Sequence, residues 1–352
     1  MTVAERPSPD RRVLSPDGTI LDGNTVEDID DETMLAIYRD MRLMRRFDER
    51  AVSWQRQGRI GTYPSLAGQE GAQVASAHAL AEPDWIFPTY RDKAACHVRG
   101  MPLEVMLLDL LGHPDGNAVP EDCNVFTQSI PIATQLPHAV GMAMAADKRD
   151  ERAAFLAYFG DGATSEGDFH EAMNFAGVFD APVVFFCNNN QYAISVPLER
   201  QTASDSIAIK AQAYGFEGVT VDGMDPLAVY RITRWAREKA VDPIAGQPRP
   251  TLIEAEQYRY NDHTTADDAS RYRDEEEVEA WRERDPIGRL ERFLLETGRL
   301  DGEYLDALAV EIDAYLEEVI EAAEAESVDI SMISEHTYDT PPEQLRRQFE
   351  ER

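Results

Sequence analysis

From Asp30 to Gln57 the apolar residues Met34, Ile37, Met41, Met44, Phe47, Ala51 and Trp54 recur every three or four positions, and Gly58 follows as a stop. That period places them on one face of a long amphipathic helix. A second helix is expected after GQEG, from Gly71 to Leu80, and a third opens with Pro102 in its first turn and closes at Gly112. The pattern then changes. Ala153 to Phe159 (AAFLAYF) and Val183 to Cys187 (VVFFC) are short and almost wholly apolar, as strands are when both faces of a parallel sheet are covered. A crossover helix fits between them, from about Phe169 to Val178. Further on, VTVDG, DPLAVYRITRWAREKAV and TLIEAEQYR predict strand, helix and strand again. From Glu303 to Glu326 a charged helix carries Leu305, Leu308, Ile312, Tyr315 and Val319 as one packing stripe. The expected architecture is α/β: a mostly parallel sheet with helices on both faces and a helical extension at the C-terminal end. Residues 1–25, with Pro7, Pro9 and Pro16, read as a flexible or draped arm, and residues 331–352 as a packed tail.

Composition alters this picture in one respect. Of 352 residues 43% are apolar, enough for a large core, yet 66 acids face 34 basic residues for a formal charge of −32. Such a surface repels nucleic acid and anionic lipid. It reads as adaptation to high salt, where screening shortens repulsion to about 3 Å at 1 M. Cys96, Cys123 and Cys187 have neither zinc-site nor disulfide-framework spacing. With no apolar leader and no membrane-length apolar run, a soluble cytoplasmic protein is expected.

The chemistry is expected where strands end. In FGDGATSEGD, Phe159 to Asp168, Gly160 and Gly162 flank Asp161 at a strand-to-helix transition whose helix start attracts anions. The acid would repel a bare phosphate, so a cation is needed between them, and magnesium with hard oxygen ligands fits. The next strand ends in NNNQY, Asn188 to Tyr192, which offers amide and carbonyl oxygens. A plain turn is the simpler reading of GDG alone. A dinucleotide fingerprint fits poorly, because its third glycine is misplaced. GDG followed 29 residues later by Asn190, across one helix and one strand, is the diphosphate motif of thiamine diphosphate enzymes.

The segments GRIGTYPSLAGQEGAQVAS, FPTYRD, GDGATSEGDFHEAMNFAGVFDAP, FFCNNNQYAIS, VDGMDPLAVY and HTTADDASRYR, in this order, resemble the alpha subunit of the first component of 2-oxo acid dehydrogenase complexes from about Asp30 to the tail. The resemblance implies a thiamine diphosphate-binding domain over 26–330. It implies magnesium on Asp161, Asn190 and the Tyr192 carbonyl, with Gly160, Gly162, Ala163 and Asn188 beside the diphosphate. Many members carry arginine where Asn188 stands, which puts cofactor affinity in question. Tyr90 and Arg91 would meet the diphosphate, and the backbone of Ile130 and Ile132 the aminopyrimidine. In some members potassium sits nearby; its oxygens here would come from Ser129, Pro131, Thr134 and Gln135. His263 is the catalytic candidate, donating a hydrogen bond or moving a proton beside the cofactor and the 2-oxo acid, with Arg259 orienting its loop. His78, His97, His113, His138 and His170 read as packing or surface residues and His336 as part of the tail. Thr264 stands where some animal relatives carry a regulated serine, from which no phosphorylation is inferred. The implied partners are a beta subunit in an α2β2 tetramer, which supplies the activating glutamate, and the lipoyl arm of a dihydrolipoyl acyltransferase core. Pyruvate is the expected substrate. Branched-chain 2-oxo acids such as 3-methyl-2-oxobutanoate, acetoin, and a non-catalytic scaffold are the alternatives.

Overall fold

The structure, a computed structural model, describes residues 10–128, 130–243, 245–328, 332 and 337–350. Five parallel strands form its central sheet: β1 (Trp85–Phe87), β2 (Phe155–Gly160), β3 (Val183–Asn189), β6 (Glu217–Asp222) and β7 (Thr251–Glu256), in the order β1-β2-β3-β7-β6. A short antiparallel hairpin, β4 (Tyr192–Ala193) and β5 (Val196–Pro197), follows β3. The apolar runs are strands because both faces are covered. On β2 and β3, Leu156, Tyr158, Val184 and Phe186 enter one core, while Phe155, Ala157, Phe159, Val183, Phe185 and Cys187 enter the other.

Helices α5 (Gln135–Asp147) and α6 (Gly167–Phe179) cover the second face. The larger core on the first face takes residues from α1 (Asp31–Arg56), α2 (Glu70–His78), α3 (Lys93–Val98), α4 (Leu103–Leu111) and α7 (Pro226–Val241). Beyond them α8 is Glu275–Arg282, α9 Pro286–Glu296, α10 Gly302–Ala325 and α11 Glu343–Glu350. Some of the acid excess serves as helix caps: Asp30, Asp225, Asp285 and Asp301 accept first-turn amides of α1, α7, α9 and α10.

Several expectations shift. Pro102 is the N-cap of α4 rather than a first-turn residue, and Gly112 closes that helix with φ +77°. On α10 the buried face runs through Leu308, Ile312, Leu316, Val319 and Ala323, leaving Tyr315 partly exposed. Leu316 holds the i+4 step from Ile312, which turns Tyr315 off the seam. The strand ends at Glu256, short of the expected Arg259: Gln257 makes the closing ladder bond to the Asn189 carbonyl, and beyond it Tyr260 donates its backbone N–H to the Ala67 carbonyl instead of to β3. The N-terminal arm is draped from residue 10: Val13 and Leu14 are fully buried, and their amides each donate to Asp225 Oδ2 at 2.7 Å. Of the expected tail, 332 and 337–350 are described; His336 lies outside the described residues. No described helix is long and apolar enough to cross a membrane.

Candidate active site

Because the strands are parallel, their carboxyl ends share one edge of the sheet, and the loops after β1, β2, β3 and β7 converge there. They deliver Tyr90 and Arg91, Asp161, Asn190, and Arg259 with His263 to one cleft of about 270 Å³.

Asp161 opens a tight turn, Asp161–Ser165, between β2 and α6. It is 1% exposed, and among the described residues no cation pairs with it. Burial pushes its carboxyl up to about 6 against hydrogen bonds from Gln201 and the Asn190 backbone. Asn190 follows β3; its Oδ1 accepts the Tyr192 amide at 3.3 Å. The chain turns there through left-handed conformations at Gln191 (φ +74°) and Ile194 (φ +57°), which swing the β4–β5 hairpin over the GDG loop. Gly162 is needed for this crossing, since a Cβ there would lie 2.8 Å from that of Ala193. Gly160 differs: it lines the cleft, and a Cβ on it would meet nothing within 4 Å. Of the two glycines, Gly162 admits the hairpin and Gly160 leaves space.

Opposite stand two buried arginines. Arg91 donates to the Ser65 carbonyl at 2.5 Å, to His263 Nδ1 at 3.1 Å and to the His263 carbonyl at 3.0 Å. Arg259 donates to His263 Nδ1 at 3.2 Å and to the Ile194 carbonyl at 3.0 Å. Neither forms an ion pair among the described residues, although Asp92 is the next residue to Arg91 in the chain. Asp92 instead accepts from Thr89 and from Asn188 Nδ2. Burial and the neighbouring Arg91 push Arg259 down to about 10. His263 goes down to about 4, through burial and then the two guanidiniums. With two N–H donors on Nδ1, the ring proton belongs on Nε2. His263 in this arrangement is a neutral hydrogen-bond donor.

The charge pattern fits a magnesium diphosphate. A buried carboxylate without a cation sits with amide and carbonyl oxygens on one side, and two buried guanidiniums without an anion sit on the other. The remaining candidates are less uniform. Tyr90 packs its ring edge-on to His263 at 6.3 Å and lies under the Arg91 guanidinium. Ala163, Pro131, Ile132 and Gln135 line the cleft, whereas Ile130 and Thr134 do not. Asn188 lines it too, but its amide is taken at both ends, by Asp92 and by Gln257, each at 2.7 Å. Thr134 Oγ1 donates to the Pro131 carbonyl at 3.0 Å, while Gln135 Nε2 donates to the Tyr158 carbonyl at 2.6 Å. Ser129 lies outside the described residues. Ile130, Ile132, Ile194 and Val196 make an exposed apolar rim. Sequence reasoning missed Gln69 and Gln201, which touch Asn190 and Asp161; only the GQEG motif pointed near either, and it served as a helix start.

Comparison with known proteins identifies the family. The family described as dehydrogenase E1 component matches residues 38–330. The pyruvate dehydrogenase E1 component subunit alpha of Staphylococcus aureus (strain Mu50) is 40% identical over 344 residues, covering 96% of this chain and 91% of that protein. The protein of the same description from Bacillus subtilis (strain 168) is 38% identical over 341 residues, with the same coverage. With the match spanning most of its length and its strand-end loops gathered into one charged cleft, the chain belongs to the dehydrogenase E1 component family.

Proposed function

We propose that this chain is the alpha subunit of a thiamine diphosphate-dependent pyruvate dehydrogenase, an oxidoreductase that decarboxylates pyruvate and passes the acetyl group to a lipoyl arm. The observation that carries the reading is the opposition of Asp161, Asn190 and Tyr192 to Arg91, Arg259 and His263 across one cleft. Bound in this cleft, thiamine diphosphate would supply an electron sink for the pair left by departing CO₂, and a lipoyl disulfide would be the oxidant that is reduced on taking up the acetyl group.

This chain's residues supply position and charge. Asp161, Asn190 Oδ1 and the Tyr192 carbonyl offer three hard oxygens to magnesium. Arg91 and Arg259 would offer the diphosphate charge-assisted hydrogen bonds. His263, which lines the cleft, would offer Nε2–H as a donor to negative charge that develops there. Potassium near Pro131 and Thr134 is a further element of the reading. The apolar rim is where a beta subunit would close the cleft and bring the activating acid, in an α2β2 assembly working in the cytoplasm with an acyltransferase core.

Co-expression with a beta-type partner, followed by decarboxylation assays across 2-oxo acids, tests this. Pyruvate should be the preferred substrate, and Asp161→Ala should abolish magnesium-dependent cofactor binding. Preference for 3-methyl-2-oxobutanoate or acetoin would overturn the substrate; no thiamine diphosphate binding even with the partner would leave a scaffold.

A further inference from the structure

Two glutamines, Gln69 buried and Gln201 half-buried, hydrogen-bond to the proposed metal ligands. Gln69, at the start of α2 and 1% exposed, accepts the Asn190 Nδ2 hydrogen at 3.2 Å through its Oε1. Gln201, after the β4–β5 hairpin, uses one Nε2 twice: it donates to Asp161 Oδ2 at 2.5 Å and to the Val196 carbonyl at 2.9 Å. In each glutamine the other amide atom, Nε2 of Gln69 and Oε1 of Gln201, is buried without a hydrogen-bond partner. A half-satisfied buried amide is unfavourable for folding. Stability alone therefore does not account for glutamine at either place.

We infer that Gln69 and Gln201 are positioning residues that decide which atoms of Asn190 and Asp161 face the metal. The inference rests on the magnesium reading above. Asparagine presents oxygen on one side of its amide and NH₂ on the other, and only the oxygen binds a hard cation. Gln69 Oε1 draws the NH₂ of Asn190 away, and the Tyr192 amide holds Oδ1 on the opposite side. If Gln69 turned over, two NH₂ groups would oppose each other, or Asn190 would turn with it and show NH₂ to the cation. Gln201 engages one carboxylate oxygen of Asp161 and leaves the other for coordination. Through Val196 the same amide ties Asp161 to the hairpin that carries the Tyr192 carbonyl. All three donors are thus referenced to one another by two amides, an arrangement in which outer partners tune metal affinity.

The test is manganese binding, read from the spin-resonance signal of free Mn²⁺, by the full chain assembled with its beta-type partner in the presence of thiamine diphosphate. Gln69→Leu and Gln201→Met should each weaken Mn²⁺ binding by about 10–100-fold. Gln69→Glu, whose carboxylate still accepts from Asn190 and adds a negative charge near the cation, should bind Mn²⁺ at least as tightly as the unaltered protein. Metal-free thermal unfolding separates this from misfolding, and Gln201→Met, at a partly exposed position, decides the matter if Gln69→Leu does not fold. Asp161→Ala is the control on the reading itself. If it abolishes Mn²⁺ binding while both glutamine variants bind normally, the positioning role is wrong and the metal site stands. If Asp161→Ala binds as well as the unaltered protein, or the unaltered protein binds none, the metal reading falls and the positioning role with it.

Discussion

His263 illustrates how neighbours choose among the roles a side chain could play. Free imidazole can donate, accept or shuttle a proton near neutral pH, but burial, and then the two guanidiniums donating to Nδ1, push the group from 6.5 down to about 4. The sign for stability follows. Between those values the unfolded chain holds a proton that the folded chain does not, so stability is lost as pH falls from 6.5 and the loss levels off below about 4. Urea unfolding at pH 7 and pH 5 should therefore show a larger loss for the unaltered protein than for His263→Asn; equal losses would refute the neutral-donor assignment. Gly162 gives a second residue-level expectation. Gly162→Ala drives a methyl against Ala193, should cost about 1–3 kcal/mol, and should weaken cofactor binding by displacing the hairpin. Adding Ala193→Gly should restore both, a coupling measurable by a double-mutant cycle. Asp161 and Asn190 were legible because each follows an apolar run that could only be a covered strand. Gln201 was not, since the contact with Asp161 spans 40 positions and depends on how a hairpin folds back.

Whole elements were readable where one physical requirement dominated. Two-sided burial marks β2 and β3, and a period of three to four marks α1. Their ends were less readable, because termini are set by what receives the last backbone groups. β7 stops where the chain leaves β3 and Tyr260 turns its N–H to the Ala67 carbonyl, an event without a local signature. What anchors the draped N-terminal segment was hidden for a similar reason. Its anchor is Asp225, whose Oδ1 caps α7 through Leu227 and Ala228 while Oδ2 receives the amides of Val13 and Leu14. In the sequence MDPLAV shows only the cap. Asp225→Ala removes both functions and should destabilise the fold by about 3 kcal/mol, from one lost cap and two buried amides left unpaired. Hydrogen exchange should show the Val13 and Leu14 amides losing protection before the rest of the sheet. Uniform loss of protection would mean that the segment is held by its apolar side chains instead.

At the scale of the molecule two electrostatic effects oppose each other, and salt decides between them. Along α1 and just beyond it, Arg39, Arg46, Arg50 and Arg59 pair with Glu311, Asp313, Glu317 and Glu324 of α10, which pins the C-terminal helix to the core. Each such exposed pair is worth about 0.2–1 kcal/mol and weakens as salt is added. The formal charge of −32 acts the other way, because mutual repulsion among the unpaired acids also fades as salt is added. Repulsion involves many more charges than the ladder has pairs. The unfolding midpoint should therefore rise between 0.1 and about 2 M KCl, with the Debye length falling from about 10 Å to below about 3 Å. Chloride is the suitable anion, since sulfate and phosphate strengthen apolar burial on their own. The double variant Arg46→Gln, Arg50→Gln isolates the ladder: it should lose about 1 kcal/mol at low salt, and the difference should shrink in concentrated KCl while the overall rise persists. A midpoint that falls with KCl would show that the ladder outweighs the repulsion, and adaptation to high salt would no longer account for the acid excess.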